Sequence, residues 1–245
     1  MPSIEPLLLC VTRVNTFAGN AALTNASGFF FARDERLFLV TSRHVLHDKA
    51  ADHWPDRIEI ELHLDEENVA RSTGFSIPLY QQRRGVWRQG EDTAGGVDIA
   101  AIEIERDALP ATALYRAFTP AHLIGGDAAV EIGTPLLIVG FPLGFHDTLH
   151  HMPVARHAIV ASSFGLRFQG LGYFLTDART HRGTSGAPVV MRVREDAAGL
   201  GDLHWRLLGI HSSRLDMGDR DLKLDEALGL NCAWYADIVM KLTAS

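Results

Sequence analysis

A serine set between glycines, in Gly183-Thr184-Ser185-Gly186-Ala187-Pro188, is the chain's best candidate for a reacting group. Small residues let the backbone turn tightly there, so that the amides of Gly183 and Ser185 can point at one developing oxyanion that a bulky side chain would obstruct. A serine hydroxyl is too weakly acidic to attack an amide unaided; it needs a base within hydrogen-bond reach. Two partners lie upstream. His44 closes the apolar run Leu37-Phe38-Leu39-Val40-Thr41-Ser42-Arg43-His44-Val45, and Asp98 opens Val97-Asp98-Ile99-Ala100-Ala101-Ile102. In such a set neutral His44 takes the Ser185 proton as general base and returns it to the leaving group as general acid. Asp98 holds the imidazole in the useful tautomer and stabilises the imidazolium. Taken singly, each has an ordinary reading: a turn serine, a strand-end histidine, a solvated strand-edge carboxylate. Their combination and order carry the weight.

The order His, Asp, Ser is that of chymotrypsin and differs from that of subtilisins and α/β-hydrolases. On these residues the sequence resembles the chymotrypsin-like serine protease family, in particular its bacterial, disulfide-free members related to HtrA proteases and glutamyl endopeptidases. Gly140-Phe141-Pro142-Leu143-Gly144 and Phe174-Leu175-Thr176-Asp177-Ala178 match further pieces of those families, and the resemblance covers almost the whole chain. It implies a His44, Asp98, Ser185 triad, an oxyanion hole from the Gly183 and Ser185 amides, and a primary pocket built from Arg179, Thr180, His211, Ser212, Ser213 and Arg214. Trypsins hold Lys or Arg with an Asp where this chain has Arg179, whose cation would repel a basic side chain. Thr180 and His211, in Leu208-Gly209-Ile210-His211-Ser212-Ser213, match the glutamyl endopeptidase pairing of a hydroxyl with a Gly-x-His strand, so a Glu or Gln is expected before the scissile bond. His211 as a satisfied core histidine is the competing reading. Arg214 departs from the usual Gly and would either narrow the pocket or add a charge for an acidic substrate. Thr184 replaces the Asp that pairs with a freed N-terminus in trypsins, so control is expected from a regulatory partner, from loop ordering over 144–157, or not at all.

The elements that must position these groups read as strands. Short or alternating apolar runs bounded by turn residues fall at 28–32, 37–41, 58–64, 99–104, 135–139, 157–162, 173–176, 188–193, 205–210 and 229–235, with a further strand expected at 7–14 and a short terminal helix at 236–242. The segment 106–126, with Pro110, Pro120 and Gly125-Gly126, reads as a connection between halves. The expectation is all-β: two six-stranded antiparallel barrels of the chymotrypsin type with a short C-terminal helix. Residues 1–115 would carry His44 and Asp98, and residues 116–245 Ser185 and the pocket. No PDZ-sized segment follows, which is expected to set the chain apart from HtrA proteins.

Bulk composition agrees. With 245 residues, 47% hydrophobic, the chain is long enough for two small cores, and its 22 Gly and 10 Pro suit many turns. A net charge of −7 gives no basic footprint, which excludes nucleic acid as the expected partner and leaves protein or peptide substrates. Only two cysteines occur, Cys10 and Cys232, and whether they pair is open. The N-terminus lacks a basic region before its short apolar run, and no run approaches the ~20 residues of a membrane span. A cytoplasmic location without membrane contact is expected, with non-classical export the alternative. His146, His150, His151 and His157 match no zinc-site spacing, and a metal on the His44/His47 pair would abolish base catalysis, so neither metal nor cofactor is expected. The function expected is a serine endopeptidase acting through an acyl-enzyme; the alternatives are a partner-activated or silent binding module and an esterase-like hydrolase.

Overall fold

The structure is a computed structural model and describes residues 4–125, 129–193, 199–214 and 229–244; of Arg214 it describes the backbone alone. The main sheet of the first half holds seven strands: β1 (Val11–Ala18), β2 (Ala21–Arg33), β3 (Arg36–Ser42), β4 (Arg57–His63), β5 (Ser72–Pro78), β6 (Trp87–Asp92) and β7 (Gly95–Ile104). They are antiparallel, in the order β5-β4-β1-β2-β3-β7-β6; residues Tyr80–Gln81 and Arg84–Gly85 pair as a small separate hairpin. Phe75 and Ile77 of edge strand β5 and Trp87 of edge strand β6 pack on the same apolar cluster as Val14, Phe30, Leu39 and Ile102, so the sheet curls around one core. The second half closes fully: β8 (Pro135–Gly140), β9 (Val154–Val160), β10 (Tyr173–Asp177), β11 (Pro188–Arg192), β12 (Trp205–Arg214) and β13 (Leu230–Tyr235) form a six-stranded barrel in the order β8-β9-β10-β13-β12-β11. The all-β expectation, the closed six-stranded barrel and the short terminal helix are borne out. The main sheet of the first half has seven strands where six were expected.

Alternation along β2 explains how the halves join. Phe30 points into the first core, while Phe29 and Phe31, one residue to either side, belong to a second cluster shared with Val139, Phe141, Leu207, Ile210 and Val239 of the other half. The run at 28–32 is continuously apolar because both of its faces are covered. The β2–β3 hairpin turns on two left-handed residues, Asp34 (φ 49) and Glu35 (φ 65), the geometry of a two-residue primed turn. Helix α2 (Ile238–Leu242) packs from the chain end back onto β6 and β7.

Two expectations need correction. Residues 6–10 form a 3-10 turn, Pro6–Cys10, rather than the start of a strand: Pro6 has no N–H to give a ladder and its ring suits a helical first turn. The strand begins at Val11 and extends to Ala18. Strands β5 and β6 were not expected; their solvent-facing positions carry the polar residues that mask an edge-strand pattern. The described part of the connecting segment touches both halves in sequence, Leu114 bridging to His63, Phe118 to Phe31 and Leu123 to Leu207. Gly126 lies outside the described residues. Cys10 and Cys232 are both free and buried, and burial pushes both thiols above the ordinary cysteine value, Cys10 the further.

Candidate active site

His44 sits in a single helical turn, α1 (Arg43–Leu46), which begins as β3 ends; Val45 and Leu46 are buried and fix the turn against the first core. Asp98 lies on β7, whose residues Ile99 and Ala100 pair with Ser42 and Thr41 of β3. Neighbouring strands thus deliver the base and the carboxylate to one corner. One Asp98 oxygen accepts the His44 main-chain N–H at 2.9 Å, and the other lies 2.6 Å from His44 Nδ1. An ionised carboxylate can only accept, so Nδ1 carries a proton, and whenever the ring is neutral Nε2 presents its lone pair. Burial alone would push the Asp98 carboxyl up, but the hydrogen bonds from His44 and Ser212 together with the His44 charge outweigh it and hold the group below its ordinary value.

The serine arrives from the other half. Ser185 lies in the turn before β11, and both flanking glycines are left-handed, Gly183 at φ 88 and Gly186 at φ 85. Space is as restrictive as conformation: a Cβ on Gly186 would run into the Ser27 carbonyl and the Thr41 hydroxyl, and one on Gly183 into the Phe141 carbonyl. The turn is held by its carbonyls. Leu143 N–H donates to Arg182 O at 2.5 Å, Ser27 Oγ to Gly183 O at 2.8 Å, and Ala187 N–H to Thr184 O at 2.9 Å. In a trans peptide the N–H points opposite to the C=O. The N–H groups of Gly183 and Ser185 are therefore turned away from these anchors, and among the described residues neither has an acceptor.

Ser212 joins the two halves of the site. Its hydroxyl donates to Asp98 Oδ2 at 2.5 Å, and its carbonyl accepts from Ser185 Oγ at 2.9 Å. The β12–β13 register slips between His211 and Ser213, a bulge that frees Ser212 from the ladder. Among the described residues Ser185 Oγ makes no hydrogen bond to His44; rotation about its Cα–Cβ bond is needed to exchange the Ser212 carbonyl for Nε2.

The remaining residues named from the sequence fall out differently. Arg179 is exposed, not enclosed at a pocket floor. Thr180 is buried, but its hydroxyl is directed at Asn231 Oδ1, 2.5 Å away. His211 is buried; its carbonyl accepts Gly186 N–H at 2.8 Å and its N–H donates to Ala187 O at 2.9 Å, so its backbone locks the serine turn onto β12. Ser213 is exposed, and the Arg214 side chain lies outside the described residues. Two surface grooves of about 580 and 770 Å³ lie elsewhere, around Phe164, Tyr235 and Asp237, and neither is lined by His44, Asp98 or Ser185. In the histidine-rich loop His146 bonds the Gly144 carbonyl and His150 bonds Asp147, each at 2.6 Å; no three His, Cys, Asp or Glu gather as a metal cage among the described residues. Nor is any described helix long and apolar enough to cross a membrane.

Two supporting residues were not found from the sequence. Buried Ser27 on β2 makes four bonds, three of them to the other half: its N–H donates to Ser185 O at 2.9 Å, its hydroxyl donates to Gly183 O and accepts Phe141 N–H at 3.0 Å, and its carbonyl accepts Thr41 Oγ1 of β3 at 2.8 Å. The available signal was a small polar residue inside an apolar run, Ala26-Ser27-Gly28-Phe29. Buried Asn231 on β13 donates to the carbonyls of Thr176, Ala178 and Gly229, tying down the segment that leads to Thr180. It likewise stands as a single polar residue in a buried strand.

These features together define a two-core, all-β scaffold in which a His-Asp pair from one half is linked through Ser212 to a glycine-bounded serine of the other. A family model described as a trypsin-like peptidase domain matches residues 26–200, and the chain belongs to that family. Its fold is similar to that of a serine endoprotease from Yersinia pestis, with a TM-score of 0.56 and 15% identity over 98% of this chain and 65% of that one. At that identity the likeness speaks for the fold, and this chain spans about 65% of that protein's length. No curated protein matches the chain.

Proposed function

We propose that the chain is a serine endopeptidase in which His44, Asp98 and Ser185 act as base, orienting carboxylate and nucleophile. The continuous path Ser185–Ser212–Asp98–His44, hydrogen-bonded across both halves, is the observation that carries this reading. As Ser185 Oγ turns to His44 and attacks the scissile carbonyl, its proton passes to Nε2 and the carbonyl oxygen takes the electron pair. The Gly183 and Ser185 N–H groups receive that oxyanion, a contribution of about 3 kcal/mol per donor. Collapse expels the amine, which takes the proton from His44, and leaves an ester on Ser185. Water, deprotonated by His44, then hydrolyses that ester.

Protein or peptide substrates with Glu or Gln before the scissile bond fit this site best. Arg179 and Arg182, flanking the serine turn, disfavour Lys and Arg there, and His211 adjoins Ser212 on the strand beside the serine. Thr180 drops out as a substrate donor because its hydroxyl is engaged by Asn231. The test is a set of fluorogenic peptide amides differing only at that residue. Turnover of Glu and Gln above Ala, with Arg lowest, is expected; Arg highest would overturn the preference, and cleavage of esters without amides would make the chain an esterase. The Ser185 bond to the Ser212 carbonyl favours a second reading, a resting state that a regulatory partner turns toward His44. In that case turnover appears only when the partner is added.

A further inference from the structure

We infer that Leu143 selects the substrate side chain immediately after the scissile bond, and that it selects an apolar one. This rests on the endopeptidase reading and adds the chemistry of the leaving-group side. The segment after β8 runs Phe141-Pro142-Leu143-Gly144-Phe145; Phe141 and Pro142 are buried, whereas Leu143 is 67% and Phe145 69% exposed. A single exposed leucine is ordinary. Leu143 is not ordinary, because it holds φ 55, a left-handed backbone uncommon for any residue but glycine.

Its place explains the strain. The Leu143 N–H holds the Arg182 carbonyl, and that nitrogen lies 3.0 Å from where a Gly183 Cβ would stand, so Leu143 is the immediate neighbour of a proposed oxyanion donor. The Asn25 carboxamide backs the loop, 3.3 Å from a Cβ placed on Gly144 and 2.6 Å from one placed on Gly183. The serine turn therefore has two unlike flanks. On one lies β12, reached through Ser212; on the other lie Asn25 and Leu143. With the acyl group paired along β12, the leaving amine is assigned to the second flank, beside exposed Leu143. An exposed isobutyl group there rewards an apolar neighbour and gives a charged one nothing to bond.

The test loads Ser185 from a peptide ester with no residue beyond the scissile bond, then lets leucine amide, glycine amide and aspartate amide compete for the acyl-enzyme. The amine attacks the ester carbonyl, an amide forms, and the proton lost by the amine returns through His44 to the Ser185 hydroxyl. Leucine amide is expected to win over glycine amide by about tenfold, the scale of one apolar side chain in a shallow site. Leu143→Asn, which tolerates the left-handed backbone, is expected to bring the ratio close to one, and Leu143→Met to restore most of it. Because the acceptors compete for one intermediate, a general loss of activity cancels from the ratio. A native ratio near one, or a ratio unchanged in Leu143→Asn, overturns the assignment of Leu143. Failure to form any acyl-enzyme overturns the endopeptidase reading, and this one with it.

Discussion

The two sides of Ser185 behave differently. On the side of His44 and Asp98, polar atoms are matched closely: Asp98 accepts from His44 twice and from Ser212, and Ser27 uses every group it has. On the side of Arg179 and Thr180, one expected substrate contact is exposed and the other is turned inward to Asn231. The first side is built from main-chain positions fixed by strand pairing, so its side chains have little choice. The second depends on the direction of side chains on irregular backbone, where a neighbour such as Asn231 can redirect a hydroxyl. Chemistry common to a family sits on the rigid side, and selectivity on the adjustable one.

The contrast can be sharpened first at Asp98. Asp98→Asn leaves the shape and removes the acceptor that fixes the His44 tautomer, so kcat/KM is expected to fall by about 10⁴-fold with the thermal midpoint little changed. A fall below tenfold would mean that the corner does not act as drawn. Gly186→Ala comes next: its Cβ meets the Ser27 carbonyl at a left-handed position, and a loss of about 3 kcal/mol or more in denaturant titrations is expected. Ser27→Ala should cost about 2–4 kcal/mol, because the Phe141 N–H and Gly183 carbonyl both lose a buried partner, and it should slow acylation as well.

A smaller effect is expected from histidines away from the site. Burial lowers the proton affinity of His63 and of His122, and for His63 the nearby His150 and His151 charges add to it. A histidine depressed in the folded state binds fewer protons than in the unfolded chain, so its contribution is present above the ordinary value of 6.5 and is lost as pH falls below it. Denaturant midpoints should therefore drop on acidification below about pH 6.5, and less so in His63→Gln. The least effect belongs to the pocket side: Arg179→Ala, at an exposed cation, should change the Glu-to-Ala preference by no more than about threefold. A larger change would return Arg179 to a pocket role.

What was legible in the sequence follows the same division. His44 and Asp98, which the structure brings into contact, stood out because one ends and the other opens an apolar run, and Ser185 stood out through the glycines around it. Ser212 was named only through the family resemblance, as a pocket residue, and the bulge that frees it to bond Asp98 was not visible in the sequence. Strands β5 and β6 escaped because an edge strand needs only one apolar face: in β5 that face is just Phe75 and Ile77 among small and polar residues, and in β6 it is Trp87 alone among polar and charged ones. Ser27 and Asn231 escaped for a different reason: their importance lies in bonds to residues far away in sequence, such as Ser27 to Gly183 and Asn231 to Thr176, which no local pattern encodes. The orientation of Thr180 could be known only once Asn231 was seen beside it.

The central claim is that Ser185 is an activated nucleophile served by His44. It is tested most directly by covalent labelling with a fluorophosphonate, comparing the native protein with Ser185→Ala, His44→Ala and a denatured control. Labelling of the native protein that disappears in all three comparisons is the predicted result. A native protein that stays unlabelled, or a label that survives in Ser185→Ala, would contradict it.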